Sequence, residues 1–218
     1  MRVYVARHGE TTWNLAGRYQ GRRESALTAL GMSQAFALAN AMVEARVARV
    51  IASPLLRCTA TAKVAADRLN LRLERDDRLI EIAHGTWEGR LRDEIAANDP
   101  QRYHEWRHEP SRVAFEDGET IARVMSRWRD FAASLAHSGR EAQPSQHDVP
   151  VLVVTHDAVV RVAIVDALGA DIAAFWQPRV ENGAYATFDV IDDRWMLVEE
   201  CNAVHLGALR APIDTQAL

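Results

Sequence analysis

Two hydrophobic periods alternate along the chain, and they predict strands that alternate with helices. Short apolar runs typical of buried strands occupy residues 2–6, 49–52, 71–74 and 149–155. Apolar residues at helical spacing occupy residues 28–47, 54–70, 120–137 and 158–168. Near the end of the chain, residues 183–191 and 194–201 alternate like the two strands of a β-hairpin.

Polar residues at the predicted helix starts support this division. Thr28 precedes the first long helical run and is a candidate N-cap. Ser53 followed by Pro54 predicts an N-cap and a first helical residue for the second run. Strands that alternate with helices are typical of βαβ units and of a largely parallel sheet.

The expected fold class is therefore α/β, a three-layer sandwich with a mostly parallel central sheet and helices on both faces. The 218 residues suit a single domain, 1–218. A segment at about 87–140 differs in composition, because it is rich in Arg, His and Trp and contains Pro100 and Pro110. We expect this segment to be a helical lid insertion, followed by an exposed loop at 139–148.

Composition limits the classes of function. The formal net charge of −4 argues against a nucleic-acid partner. No apolar run approaches the roughly 18 residues that a membrane span requires, so no membrane partner is expected. Two cysteines are too few for a disulfide framework, and no secretory segment is recognisable at the N-terminus. The expected location is the cytoplasm.

Basic and imidazole side chains follow three of the predicted strands. Arg7 and His8 end the first strand, the segment up to Arg57 follows the second, and His156 follows the fourth. Ligands of open α/β sheets bind beyond the carboxyl ends of the strands. Guanidinium groups match phosphate oxygens with two parallel hydrogen bonds. This edge of the sheet is therefore a candidate oxyanion pocket.

An ordered set of motifs spans nearly the whole chain. It consists of Arg7-His8-Gly9-Glu10-Thr11 with Asn14, Arg18-Tyr-Gln20-Gly21, Leu27-Thr28 with Gly31, Ser53-Pro54-Leu55 with Arg57 and Thr61, Leu79-Ile-Glu81 with Gly85-Thr-Trp-Glu-Gly89, Thr155-His156, Asn182-Gly183 and His205-Leu206. With these motifs the sequence resembles the histidine phosphatase superfamily, which includes cofactor-dependent phosphoglycerate mutase. One tripeptide would be weak support, but an ordered set is specific.

The resemblance implies a catalytic set of His8, Arg7, Arg57, His156 and Glu81. His8 would attack phosphorus and become a phosphohistidine, and Glu81 would protonate the leaving oxygen. The remaining three would hold the phosphoryl oxygens. Further candidate substrate contacts are Asn14, Gln20, Gly21, Arg22, Arg23, His84 and Asp157. No metal and no cofactor are expected, since cationic side chains would supply the charge stabilisation.

Two departures from the family pattern refine this expectation. Asp157 stands where the family has Gly, and we expect it to turn away from the phosphate, cap its helix and pair with Arg161. Around the acid, Ile80-Glu81-Ile82-Ala83-His84-Gly85 lacks the Arg and Tyr with which a mutase holds its substrate. This favours a phosphatase. Its substrate would be a small anionic phosphomonoester of the sugar phosphate or phosphoglycerate type, glycosylated 3-phosphoglycerates included.

Other functions stay open at this point. A mutase-type phosphotransferase is the first alternative, and a non-catalytic phosphate-binding module is another. His104-Glu105-Trp-Arg-His108 matches the H-E-x-x-H pattern of zinc peptidases, although the two flanking prolines leave room for only a short helix. Similar proteins are often dimers, so the resemblance leaves a homodimer open.

Overall fold

The structure is a computed structural model that describes residues 1–141, 149–213 and 216–217. Its strands are β1 Arg2–Arg7, β2 Arg49–Ala52, β3 Leu73–Arg75, β4 Val151–Thr155, β5 Tyr185–Ile191 and β6 Arg194–Asn202. Its α-helices are α1 Thr12–Leu15, α2 Ala29–Glu44, α3 Leu56–Leu69, α4 Arg92–Asn98, α5 Pro100–His108, α6 Ile121–Glu141 and α7 Asp157–Ala167. Short 3-10 helices occupy Asp77–Leu79, Gly85–Trp87, Pro110–Arg112, Ile172–Trp176 and Val204–Leu209.

The strands form one mixed sheet in the order β3-β2-β4-β1-β5-β6. The first four of these are parallel to one another, and β5 and β6 form the antiparallel hairpin at one edge. Arg7 at the end of β1 is in register with Thr155 at the end of β4. The prediction of a mostly parallel sheet with a terminal hairpin is confirmed.

Both faces of the sheet are covered, as expected for parallel strands. Ala6, Leu152 and Val154 point to the face on which α2 and α3 pack. On the other face, Val3 and Val153 contact the layer that contains α6 and α7. Successive residues of a strand point to opposite faces, so continuous apolar runs such as β4 suit a strand buried on both sides. The three-layer prediction is confirmed.

The predicted lid segment contains two structural parts. One is the pair of helices α4 and α5 with Trp106, which is 1% exposed and contacts Phe115 and Trp176. The other is α6, which lies against α7 and buries Trp128 in the hydrophobic core. The single-domain assignment with an insertion at about 87–140 stays a prediction. No helix within the described residues is long and apolar enough to cross a bilayer.

Two local predictions need correction. Ser53 does not cap α3, because its hydroxyl bonds His156 Nε2 at 2.8 Å, and the helix begins later, at Leu56. The carboxylate of Glu24 accepts the hydrogen bond from the Leu56 amide instead. Helix α6 continues to Glu141 and covers the start of the loop predicted at 139–148. The rest of that loop prediction lies outside the described residues.

Candidate active site

The carboxyl ends of three adjacent strands meet at one point of the sheet edge. The His8 amide donates to the Thr155 carbonyl at 2.9 Å, and the Ser53 amide donates to Val154 at 2.9 Å. These bonds continue the parallel pairing one residue beyond each strand. The rings of His8 and His156 therefore lie side by side, with centroids 5.3 Å apart.

A pocket of about 370 Å³, its open mouth included, lies at this edge. Nine of its lining residues are predicted site residues: Arg7, His8, Asn14, Gln20, Gly21, Arg57, Glu81, His84 and Asp157. The others are Ile82, Trp106, Ala158, Phe175, Trp176 and Ala217. The structure thus brings most of the predicted set together. His156 lies beside His8 without lining the pocket, and Arg22 and Arg23 are outside it.

Two glycines fix the chain around His8. A Cβ atom on Gly9 would lie 2.4 Å from the Gly31 carbonyl oxygen, and one on Gly31 would lie 2.0 Å from the Glu10 carbonyl oxygen. Neither distance leaves room for a side chain against backbone. The segment after β1 therefore lies directly against the first turn of α2. This contact holds the backbone of His8 in place.

The surroundings of His8 keep its imidazole in the protonation state that a nucleophile requires. Its Nδ1 atom lies 2.8 Å from the Gly9 carbonyl oxygen, which can only accept, so Nδ1 carries the proton and Nε2 keeps its lone pair. Burial, followed by the charges of Arg57 and Arg7, lowers the pKa of His8 well below its usual value. The ring is therefore neutral at physiological pH, which is the form that attacks phosphorus.

Two buried arginines are held by backbone carbonyls. Arg7 donates Nη1 to Val180 at 2.8 Å, and Arg57 donates Nη2 to Gly21 at 2.7 Å. The Nε atoms of both arginines have no acceptor among the described residues. The guanidinium groups are thus fixed in position, and each keeps one buried donor that a ligand oxygen can satisfy. Burial lowers the pKa of Arg7, and the Asp157 carboxylate opposes that effect.

Asn14 supplies a third unsatisfied donor. Its Oδ1 atom accepts hydrogen bonds from the Thr11 amide at 3.1 Å and from Asn182 Nδ2 at 3.3 Å, which fixes the orientation of the amide. Its Nδ2 atom has no acceptor among the described residues. The Nδ2 atom of Asn14 and the Nε atoms of Arg7 and Arg57 are buried and belong to residues that line the same pocket. Unpaired buried donors are costly, so such a cluster indicates an anion site.

His156 is held from behind by α3 and the segment before it. Its Nε2 atom lies 2.8 Å from Ser53 Oγ and 3.4 Å from Cys58 Sγ. Burial and the charge of Arg57 lower the pKa of His156 well below its usual value. The ring is therefore neutral, and it adds polarity rather than a full positive charge to the site.

Glu81 is the carboxyl group beside these donors. The side chain is 7% exposed, and its Oε1 atom accepts a hydrogen bond from the Ile82 amide at 2.8 Å. Burial raises the pKa of Glu81 to about 7, with a further contribution from the negative charge of Asp157. A carboxyl group with this pKa can donate a proton near neutral pH and take it back afterwards.

Asp157 corrects the expectation made from its position. It does pair with Arg161, Oδ2 to Nε at 2.6 Å, but it neither caps the helix nor turns away from the site. His156 is the N-cap of α7, and the Asp157 carboxylate lines the pocket with Oδ1 3.6 Å from Arg7 Nη1. The helix start places the first side chain of α7 at the pocket wall, and the two arginines hold it there.

His84 closes one side of the pocket within an aromatic cluster. Its ring contacts Tyr19, Trp106 and Phe115, with centroid distances from 4.9 to 5.6 Å. Neither ring nitrogen has a partner among the described residues, and burial lowers the pKa of His84 to about 3. A neutral imidazole with both nitrogens unpaired is suited to a polar group of the substrate.

The loop between α1 and α2 has some residues at the pocket and others away from it. Gln20 and Gly21 line the pocket. Arg22 extends to Glu119 at 3.0 Å and Arg23 to Glu88 at 4.0 Å, and both side chains are substantially exposed. The prediction that Arg22 and Arg23 contact the substrate is not supported by this geometry, because carboxylates outside the pocket attract both guanidinium groups. Arg23 contributes only its carbonyl oxygen, which accepts from Arg57.

The H-E-x-x-H motif lies on α5, on the protein surface. The rings of His104 and His108 are exposed and stacked, with centroids 4.2 Å apart. Among the described residues, no group of three or more His, Cys, Asp or Glu side chains is placed to hold a metal ion. The zinc peptidase alternative therefore gains no support from the structure.

One contact was missed by the sequence analysis. Gln216 accepts a hydrogen bond from Arg7 Nη2 at 2.6 Å and donates to Asn182 Oδ1 at 2.8 Å. It thereby fixes the second nitrogen of the Arg7 guanidinium. Asn182 stands in a recognised motif and offered a signal, whereas Gln216 lies in a segment without any motif.

Comparisons with known proteins agree on one family. The sequence model of the histidine phosphatase superfamily (branch 1) matches residues 3–203. Phosphoserine phosphatase 1 of Hydrogenobacter thermophilus is 31% identical over 207 residues, which cover 95% of each chain. Adenosylcobalamin/alpha-ribazole phosphatase of Escherichia coli is 29% identical and covers 97% of this chain and 100% of its own. A probable phosphoglycerate mutase GpmB of Erwinia tasmaniensis is 29% identical, and the match covers 90% of this chain and 88% of the relative.

Solved structures share the same fold. YhfR of Bacillus stearothermophilus superposes with a TM-score of 0.86 at 26% identity and covers 94% of this chain and 98% of its own. A mycobacterial glucosyl-3-phosphoglycerate phosphatase superposes with a TM-score of 0.82 at 28% identity, and the match covers 91% of this chain and 97% of that structure's chain. The family match extends over nearly the whole chain. The chain therefore belongs to the histidine phosphatase superfamily, branch 1, and is an enzyme of the histidine phosphatase type.

Proposed function

We propose that the chain is a metal-independent phosphomonoesterase that hydrolyses a small anionic phosphate ester through a phosphohistidine at His8. The observation that carries this proposal is the cluster of buried, unpaired N–H donors on Arg7, Arg57 and Asn14 around a neutral imidazole. Phosphoryl transfer depends mainly on positioning and on stabilising charge at the equatorial oxygens. Two fixed guanidinium groups and an amide supply this stabilisation.

The reaction has two steps. His8 Nε2 attacks phosphorus, the P–O ester bond breaks, and the protonated carboxyl of Glu81 gives its proton to the leaving alcohol oxygen. Water then attacks the phosphohistidine, Glu81 accepts the proton from water, and the N–P bond breaks. Inorganic phosphate leaves, and both His8 and Glu81 return to their starting forms. The pKa of about 7 for Glu81 suits both directions of this proton transfer.

The names of relatives support the proposed substrate class. Relatives carry names that refer to phosphoserine, to adenosylcobalamin or alpha-ribazole, and to glucosyl-3-phosphoglycerate. Sugar phosphates and phosphoglycerate-type esters, glycosylated 3-phosphoglycerates included, are the proposed class for this chain. Cytoplasmic location, homodimer formation and the lack of nucleic-acid or membrane partners stay predictions.

A mutase is the second candidate, because GpmB-type relatives are named probable phosphoglycerate mutases. A mutase holds the free alcohol product and returns the phosphoryl group to it. Supplying 3-phosphoglycerate with a catalytic amount of 2,3-bisphosphoglycerate separates the two functions. We expect release of inorganic phosphate. Formation of 2-phosphoglycerate without phosphate release would replace the phosphatase proposal with the mutase.

The decisive test is hydrolysis of 4-nitrophenyl phosphate by the wild type and by His8→Ala. His8→Ala should be inactive, whereas the activity of the wild type should persist in EDTA. Quenching in alkaline detergent during turnover should trap a phosphoryl group on the wild type that is stable in base and lost in acid. The matched control is His104→Ala, an exposed histidine on α5, which should keep both activity and labelling. Equal turnover in His8→Ala, or label on another residue, would refute the mechanism.

A further inference from the structure

A second pocket lies next to the active-site pocket and is enclosed by α5, α7 and the segment after the 3-10 helix Ile172–Trp176. It holds about 760 Å³ of space, its open mouth included. Its lining residues are Arg92, Tyr103, Arg107, Arg161, Trp176, Pro178, Arg179, Ile213 and Gln216. Four of these are arginines, and no described residue in the lining is a carboxylate. We call this space the arginine pocket.

Two of the four guanidinium groups in the arginine pocket lie against one aromatic ring. The central carbon of the Arg107 guanidinium lies 4.6 Å from the Trp176 ring centroid, and that of Arg161 lies 4.8 Å from it. The indole nitrogen of Trp176 donates to the Trp106 carbonyl at 2.6 Å, which fixes the ring. Cation–π contacts and a fixed ring reduce the freedom that these long side chains would lose on binding an anion.

Arg161 is the buried member of the group. It is 3% exposed, and it donates to Asp157 and to the Pro178 carbonyl. Arg107, in contrast, is an exposed residue in the last turn of α5. One arginine is therefore part of the protein interior, and the other is available at the pocket mouth.

Three residues connect the two pockets. Trp176 lines both of them. Asp157 lines the active-site pocket and bonds Arg161, and Gln216 lines the arginine pocket and bonds Arg7. The two pockets are therefore neighbours with the Trp176 side chain in common, and Asp157 and Gln216 each bond a residue that lines the other pocket.

We propose that the arginine pocket binds a second oxyanion of the substrate, so that the preferred substrates are phosphomonoesters with a carboxylate or a second phosphate several bonds from the scissile ester. This inference rests on the proposed function for the position of the phosphoryl group. Guanidinium groups bind carboxylates and phosphates alike with paired hydrogen bonds. The distance between the pockets sets a preferred length for the substrate.

The test uses phosphorylated ω-hydroxy carboxylic acids of increasing chain length, each paired with its primary amide. At one length, kcat/KM for the acid should exceed that for the amide about tenfold, as expected for a charge-assisted hydrogen bond. Arg107→Gln should bring this acid-to-amide ratio close to one, mainly through KM. The matched control is Arg102→Gln on the same helix, since Arg102 is outside the pocket and pairs with Asp99. It should leave the ratio unchanged.

A parallel series of alkanediol bisphosphates distinguishes a carboxylate preference from a phosphate preference, and either preference supports the proposal. An acid-to-amide ratio near one at every length, with no gain for the bisphosphates, overturns it. An equal fall of the acid-to-amide ratio in Arg102→Gln and Arg107→Gln also overturns the proposal. Calorimetric titration of His8→Ala with the same acids and amides repeats the comparison without turnover. Lack of hydrolysis by the wild type would thus refute the proposed function alone, and the arginine pocket would be judged by binding.

Discussion

Replacing Glu81 with Gln should lower activity and raise stability at neutral and alkaline pH. Gln has nearly the same shape, but it cannot donate an acidic proton to the leaving oxygen. A positioned general acid contributes about 10² to 10⁴ in rate, so kcat for an alkyl phosphate should fall by that factor. The wild type should lose activity on the alkaline side of about pH 7, where the Glu81 carboxyl loses its proton.

The stability effect follows from the same pKa. Burial raises the pKa of Glu81 from 4.5 to about 7, and each tenfold change in proton affinity is worth about 1.4 kcal/mol. Ionised Glu81 therefore costs the folded protein about 3 kcal/mol. The cost is absent below pH 4.5, where both folded and unfolded states are protonated, and it is complete above about pH 7. Glu81→Gln avoids it, so the variant should gain stability over the wild type as the pH rises through this interval.

The assays are phosphate release from an alkyl ester across a pH series and urea unfolding at the same pH values. Glu105→Gln on α5 is the matched control, because Glu105 lies outside the pocket and bonds Gln101 on its own helix. It should change neither quantity. A Glu81→Gln variant that keeps kcat within about tenfold of the wild type would refute the role of general acid. A stability difference independent of pH would refute the buried, uncharged state of Glu81.

Three further predictions concern neighbouring residues. Asp157→Asn should lower the pKa of Glu81, because it removes a nearby negative charge. The alkaline limb of the kcat/KM profile should therefore shift to lower pH, and an unchanged limb would contradict this coupling. Arg57→Lys should lower kcat/KM for 4-nitrophenyl phosphate about 10- to 100-fold, since an ammonium cannot bond Gly21 and phosphate together as the guanidinium does. Wild-type kinetics in this variant would refute the role of the guanidinium. Trp106→Ala should lower the free energy of unfolding in urea titrations by about 3–5 kcal/mol, because the ring is fully buried. A loss below about 1 kcal/mol would show that the ring is not packed as described.

The sheet and the residues that meet at its edge could be predicted from the sequence because both depend on local patterns. Apolar runs located β1 and β4, and the residues directly after them, His8 and His156, had to meet once the strands were parallel neighbours. The motif around Glu81 placed the acid in the same pocket. These predictions needed only strand order and the chain direction.

The remaining features depend on contacts between distant segments. Ser53 has the sequence context of an N-cap, yet its hydroxyl bonds His156, which lies more than a hundred residues away in the chain. Arg22 directly follows a matched motif, but Glu119 attracts its side chain away from the pocket. No periodicity indicates that Arg107 and Arg161 share one tryptophan ring. Tertiary packing decides such placements, so they were out of reach before the structure.

The hydrogen bond between Gln216 and Arg7 joins the site to a residue 209 positions later in the chain. Because Gln216 fixes one nitrogen of the Arg7 guanidinium, a substitution at Gln216 can alter turnover although it leaves every recognised motif intact. A screen for variants with altered activity should therefore include this position.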